Sequence, residues 1–306
     1  MKTTGYVSHS DCSRHDTGWR HPEHQGRLPA VARGVYRDML TLFDPLLEIE
    51  AIPATPADLA LAHTPAYIER LRTRSAEAEA AGAVLPFETE DASGGVMVSA
   101  VSWDAARAAA GAGITAADAV LAGTVRNAFC AIRPPGSGAG RDFAGEFALF
   151  NNAAIAALHL RRRGVGAVLI LELGAQPSAG TADIVAHQPG VAYRAVHRRG
   201  VAVEAGVDEI SAVLLAQLDA AAGEHRPEFL ILSLGLDSLA GDPRGGWSLE
   251  PIDLHRLTAE IRGRADALCD GHLVSLLEGG YHPERTAAAV VQHLRAMTGL
   301  PPAAAE

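Results

Sequence analysis

Five short apolar runs, separated by longer stretches of helical period, constrain this chain more than any other feature. Phe129–Arg133, Ala167–Leu173, Val191–Val196, Phe229–Gly235 and His272–Leu277 read as buried strands. Trp103–Leu121, Asn152–Arg162, Ser211–Ala222, Pro251–Cys269 and Thr286–Met297 read as helices, and their many alanines suit close docking on a sheet. This alternation predicts an α/β fold in which a parallel sheet is covered by helices. No repeat or low-complexity linker interrupts it, so one domain over residues 1–306 is expected, with an ordered core over about residues 1–300. The polar, small-residue-rich segment 75–95 reads as a surface excursion, with Gly94-Gly95 as its flexible point.

The chain has 306 residues, 48% of them hydrophobic, ample for a full core. With 26 basic against 36 acidic residues the net charge is −10, which argues against nucleic acid as a partner and admits a cationic small molecule or basic peptide. Cys12, Cys130 and Cys269 lie far apart without a CxxC pair, so neither a disulfide framework nor a zinc knuckle is expected. The first ten residues carry no apolar signal stretch, and no run approaches the roughly 20 apolar residues of a membrane span. The expected setting is soluble, reducing and cytoplasmic, without a membrane partner; self-association into a homo-oligomer is compatible with it.

Ligands of parallel sheets gather outside the carboxyl ends of the strands. There the chain carries Arg133-Pro134-Pro135-Gly136-Ser137-Gly138, Glu172-Leu173-Gly174-Ala175-Gln176-Pro177-Ser178, Gly235-Leu236-Asp237-Ser238 followed by Gly241-Asp242-Pro243, and Glu278-Gly279-Gly280-Tyr281. Gly and Pro punctuate any such turn. Four glycine-rich turns with polar residues together point to a pocket.

These loops, with HisAspThrGly at 15–18, HisProGlu at 21–23, Arg27-Leu28, HisThrProAlaTyrIle at 63–68, PheAlaLeuPheAsnAsn at 147–152 and LeuGluGlyGlyTyr at 277–281, make the chain resemble the histone deacetylase and acetylpolyamine amidohydrolase family along its length. The resemblance implies the arginase/deacetylase fold, with a central parallel sheet of about eight strands. It also implies zinc held by Asp, His and Asp, paired histidines as acid and base, and a tyrosine donating to the oxyanion.

Carried over residue by residue, Ser137 and Gly138 stand at the paired histidines, Gly174 at the first Asp ligand and Gln176 at the His ligand. Asp237 and Tyr281 keep the family's residues. Glu146 stands at the glycine before the tunnel's Phe147, Glu172 at the Asp of the monovalent-cation site, and Arg27 at an arginine beside a channel below the site. One carboxylate is a weak zinc site, so the sequence predicts no metal and no cofactor. The expected reading is a deacetylase scaffold repurposed for metal-independent proton transfer, elimination or cyclisation on a small molecule; a binding protein without turnover is the alternative, followed by a residual zinc amidohydrolase.

Tyr281, Asp237 and Glu146 are the expected catalytic groups. Ser137, Gly138, Phe147, Glu172, Gly174, Gln176 and Arg27 are the expected pocket residues, with Ser137 as a hydrogen-bond partner for the Gln176 amide. The plainer readings are Glu146 as a solvated loop carboxylate, Glu172 as an acid tied down by either a cation or serine and backbone donors, and Arg27 as an ion-pair partner. His21, His63 and His187 read as scaffold histidines.

Overall fold

The computed structural model describes residues 3–88 and 95–304. Its centre is a sheet of seven parallel strands: β1 (Thr4–Ser8), β2 (Leu46–Glu50), β3 (Asn127–Cys130), β4 (Val168–Leu173), β5 (Val191–Val196), β6 (Phe229–Leu234) and β7 (Leu273–Leu277), in the order β2-β1-β3-β7-β6-β4-β5. Strands β4, β6 and β7 are buried along their whole length, as strands covered on both faces must be. The five expected strands are present with ends shifted by a few residues. The sheet has seven strands against the eight or so implied. Its two additional members, β1 and β2, are five-residue strands at the amino-terminal side, where β2 forms the edge and alternates Leu, Glu, Ile, Glu.

Among the described residues, seven longer helices pack around it: α1 (Arg27–Arg37), α2 (Pro65–Ala81), α3 (Ser102–Leu121), α4 (Asn152–Arg162), α5 (Val207–His225), α6 (Asp253–Cys269) and α7 (Pro283–Thr298). α7 packs on α1 and α6, and α6 on α5; α3 packs on α2 and α4. The Ala/Gly seam of α3 permits backbone contact: a Cβ on Gly111 would lie 2.0 Å from the Ile52 carbonyl oxygen. No helix among the described residues is long and apolar enough to cross a membrane.

The expected surface excursion at 75–95 is corrected in part. Ser75–Ala81 completes α2, with Ser75 and Ala78 buried and the Ser75 hydroxyl donating to the Ser99 carbonyl at 2.9 Å. Alternating Ala and Glu are strong helix formers, which the small-residue content disguised. Leu85–Pro86 then pairs antiparallel with Met97–Val98. Gly94 lies outside the described residues.

A buried ionic cluster ties the strand ends to the amino-terminal third. Glu23, Arg27 and Arg133 are each fully enclosed. Arg133, just beyond β3, grips both oxygens of Glu23, Nε to Oε1 at 2.6 Å and Nη2 to Oε2 at 2.7 Å, and donates to the His15 carbonyl at 2.9 Å. Arg27, in the first turn of α1, donates to Glu23 Oε1 at 2.7 Å, to the Gly280 carbonyl at 2.6 Å and to the Glu278 carbonyl. Burial opposes ionisation of Glu23, but Arg133 and Arg27 win and hold its carboxyl down at about 2.

Replacing Glu23 strands two buried cations. Glu23→Gln is expected to lose about 3–5 kcal/mol of stability, read as a fall in the urea midpoint at pH 7. Because the folded carboxyl titrates below the unfolded one, this stabilisation is complete above about pH 4.5 and is lost as pH falls towards 2. An unchanged midpoint in the variant would show the cluster to be energetically idle.

Candidate functional site

Four strand-to-helix turns meet over the carboxyl ends of β3, β7, β6 and β4. Glu172 is the penultimate residue of β4 and lies in register with Ser233 on β6. Glu278 follows β7, its amide donating to the Leu234 carbonyl at 2.8 Å. Asp237 sits in the short helical turn after β6. These residues line a narrow pocket together with Pro135, Ser137, Glu146, Gly174, Gln176, Ser178, Arg244 and Tyr281.

The floor of this pocket is acidic. Ser178 donates to Glu172 Oε1 at 2.8 Å and the Tyr193 phenol lies close to the same carboxyl, while no hydrogen bond of good geometry reaches Glu172 Oε2. Glu278 Oε2 accepts the amides of Gly136 and Ser137, which fixes the turn after β3, while no hydrogen bond of good geometry reaches Glu278 Oε1. The Ser233 hydroxyl, fully buried and in register with Glu172, lies near the Glu278 carboxyl but makes no hydrogen bond of good geometry. Burial pushes the Glu172 carboxyl up to about 8 despite the Ser178 hydroxyl, with Glu278 pushing the same way. Burial raises Glu278 to about 7 against the Gly136 and Ser137 amides. Burial, then the nearby Asp242, raises Asp237 to about 6. Three acids therefore share a space in which none ionises at its ordinary pH.

Tyr281 stands above this floor. Its amide donates to Asp242 Oδ2 at 2.6 Å, its ring lies 4.9 Å beneath the Arg27 guanidinium, and Phe147 meets it edge-on at 5.5 Å. Burial holds its phenol well above the usual tyrosine range, so the hydroxyl stays protonated and can donate.

The expected site residues separate into three groups. Ser137, Glu146, Glu172, Gly174, Gln176, Asp237 and Tyr281 all line the pocket. Phe147 and Arg27 stand behind it as the wall and support of Tyr281, so both act at one remove. Gly138 packs away from it: a Cβ there would lie 2.1 Å from the Gly145 carbonyl oxygen, so the neighbouring backbone has closed that side-chain position. The expected pairing of Gln176 with Ser137 is corrected, because the Gln176 amide donates to the Arg244 carbonyl at 2.6 Å. Of the two partners its plainer reading left open, a cation or serine and backbone donors, Glu172 has a serine on one oxygen.

His63 and His21 are scaffold groups as expected. His63 Nε2 accepts the Asn151 amide at 2.9 Å, so Nδ1 carries the proton towards the Gly140 carbonyl at 2.8 Å. His21 Nδ1 accepts the Glu23 amide at 3.1 Å.

Sequence reasoning missed Glu278, Ser233, Ser178 and Arg244 as lining residues. Glu278 stood inside a recognised motif, and Ser233 was a hydroxyl in the middle of an apolar run. Either was a signal. Arg244 carried none, since only the folded chain brings residues 244 and 146 together.

The chain matches the histone deacetylase domain model over residues 21–203 and 200–297. It is 28% identical to human polyamine deacetylase HDAC10 over 335 positions, covering 97% of this chain and 48% of that protein, so it spans about half of that relative's length. It is 27% identical to a probable deacetylase of Archaeoglobus fulgidus, covering 92% of this chain and 82% of that one. The crystal structure of the HDA15 HD domain superposes with a TM-score of 0.84 at 27% identity, covering 98% of this chain and 91% of that chain.

These matches overturn the expectation that the protein takes no zinc, because its relatives are deacetylases of a zinc-dependent family. The side chains at the corresponding positions do not reproduce that family's donor set. Gly174 offers none, the Gln176 side-chain nitrogen is committed to the Arg244 carbonyl, and Asp237 Oδ2 accepts the Gln176 backbone N–H at 3.2 Å. Among the described residues, no three of His, Cys, Asp or Glu are grouped to hold a metal ion.

Glu172 makes stability fall with rising pH. The unfolded carboxyl releases its proton near 4.5 and the folded one near 8, so the folded state binds more protons between these values and loses up to about 1.4 kcal/mol per pH unit. Urea midpoints measured from pH 5 to 8 are expected to decline less steeply in Glu172→Gln. Parallel slopes in the two proteins would refute this assignment.

Proposed function

This chain belongs to the histone deacetylase domain family, and we propose that its pocket takes up the amine end of a small cationic molecule and moves a proton on it. One observation carries the reading: Glu172, Glu278 and Ser233 line one cavity, and Glu172 Oε2, Glu278 Oε1 and the Ser233 hydroxyl are buried there without a hydrogen bond of good geometry. Buried polar atoms left unpaired are costly, and a ligand bringing several N–H donors would satisfy the acids together. The relatives described as polyamine deacetylases support an amine as the ligand class.

Chemistry follows from the same groups. A carboxyl pushed up towards neutrality can both give and take a proton at physiological pH, which is the property general acid–base catalysis needs. Tyr281 keeps its proton and is the hydrogen-bond donor for an oxygen that gains charge beside Asp237. Arg27 positions that tyrosine from behind the pocket wall. A ligand-holding protein without turnover is the second reading. It is favoured by the absence of any histidine among the described residues lining the pocket and by the closed position at Gly138.

Calorimetry with n-pentylamine tests the floor, and proton NMR in D2O tests the chemistry. Glu172→Gln and Glu278→Gln are each expected to weaken pentylamine binding about tenfold or more. Tyr281→Phe is expected to retain binding within about threefold while abolishing turnover on a panel of amine-bearing carbonyl compounds and N-acetylated amines. Binding with no turnover of any panel member would support the second reading. Affinity indifferent to both glutamates would remove the proposal.

A further inference from the structure

The pocket's rim carries a fixed cation above its acidic floor. Arg244 lines the same cavity as Glu172 and Glu278, and its side chain keeps 31% of its surface exposed. Its backbone is clamped on both sides: the amide donates to Asp242 Oδ1 at 2.9 Å and the carbonyl accepts the Gln176 amide at 2.6 Å. The next carbonyl, of Gly245, accepts from Arg198 at 2.6 Å. Only the side chain is left to move.

The guanidinium lies 5.0 Å from the Phe147 ring centre and donates to Glu146 Oε2 at 2.9 Å. Glu146 is a solvent-facing partner, 43% exposed, on a backbone that takes left-handed conformations at two successive non-glycine residues, Glu146 at φ 48° and Phe147 at φ 67°. An ion pair this exposed is weak and exchanges readily. A ligand carboxylate can replace it with two parallel hydrogen bonds to the guanidinium fork.

The geometry points to a linear ω-amino carboxylate as the ligand, its ammonium on the Glu172 and Glu278 oxygens and its carboxylate on Arg244 in exchange for Glu146. This rests on the amine reading of the floor and refines it. The buried acids, each with one oxygen short of a well-formed donor, select the cationic end; Arg244, aimed by its clamped backbone, selects the other. A diamine of the same length would set its second ammonium against the Arg244 guanidinium, a like-charge contact that disfavours it.

Calorimetry on the full chain with n-alkylamines, ω-amino carboxylates and α,ω-diamines of three to six carbons separates the parts. In the natural protein the best amino carboxylate is expected to bind about tenfold or more tighter than the alkylamine of equal length, with the diamine weakest. Arg244→Gln is expected to erase the amino carboxylate's advantage and leave alkylamine affinity within about threefold. Arg244→Glu is expected to reverse the order in favour of the diamine, and Glu146→Gln to tighten the amino carboxylate by removing its competitor. Alkylamines that bind through Glu172 while a terminal carboxylate adds nothing, or an advantage that survives Arg244→Gln, overturn the rim assignment alone. Alkylamines that do not bind at all overturn the floor, and this inference falls with it.

Discussion

The Glu23 carboxylate, held by two arginines in a space closed to water, is the interaction on which the rest of the site depends. Arg133 hangs from the end of β3 and Arg27 from the first turn of α1, so a single anion fixes the start of the Pro134–Gly138 turn and the position of the helix beside it. Arg27 passes the constraint on through the carbonyls of Glu278 and Gly280 and through its stacking on Tyr281. A buried ionic cluster is an uncertain source of net stability, since desolvation offsets much of its attraction. What it supplies here is geometry. Neither the serine turn nor the tyrosine turn can shift without unpairing an enclosed charge.

Much of the fold was legible in the sequence because the central strands are apolar throughout and a parallel sheet leaves no solvent face to dilute that signal. β1 and β2 were not, since TGYVS is short and mixed, and LLEIE lies at an edge where half its side chains meet water. The helix through Ser75–Ala81 was hidden by small residues, which suit a loop and a closely packed helix equally well. At the site, position was readable and partnership was not. Glu172, Asp237 and Tyr281 lie where their motifs put them. That Gln176 turns to the Arg244 carbonyl depends on a contact between residues 68 positions apart along the chain, and that one oxygen of Glu172 lacks a well-formed donor depends on where its neighbours lie in the folded chain.

The step from substituted ligand positions to a zinc-free protein was the weak link in the sequence reading. A missing Asp and His describe the side chains at two positions; the family the chain belongs to bears on the metal, and it points the other way. The electrostatics of the cavity are a separate matter. Desolvation raises three acids above their ordinary range because the fold surrounds them with one another and with apolar strand ends, and it supplies too few donors to offset that burial.

Asp242 receives the Tyr281 amide on one oxygen and the Arg244 amide on the other. The turn that carries the tyrosine and the turn that carries the rim arginine are therefore one mechanical part, joined at a single residue. In the divergence of such a protein, the two turns cannot vary independently. A change of loop length or backbone angle at residues 241–246 would be felt at the phenol, and a rim adapted to a new ligand must arise by exchanging side chains on an unchanged backbone. Variation at Arg244 and Glu146, rather than insertion around them, is the route this architecture leaves open.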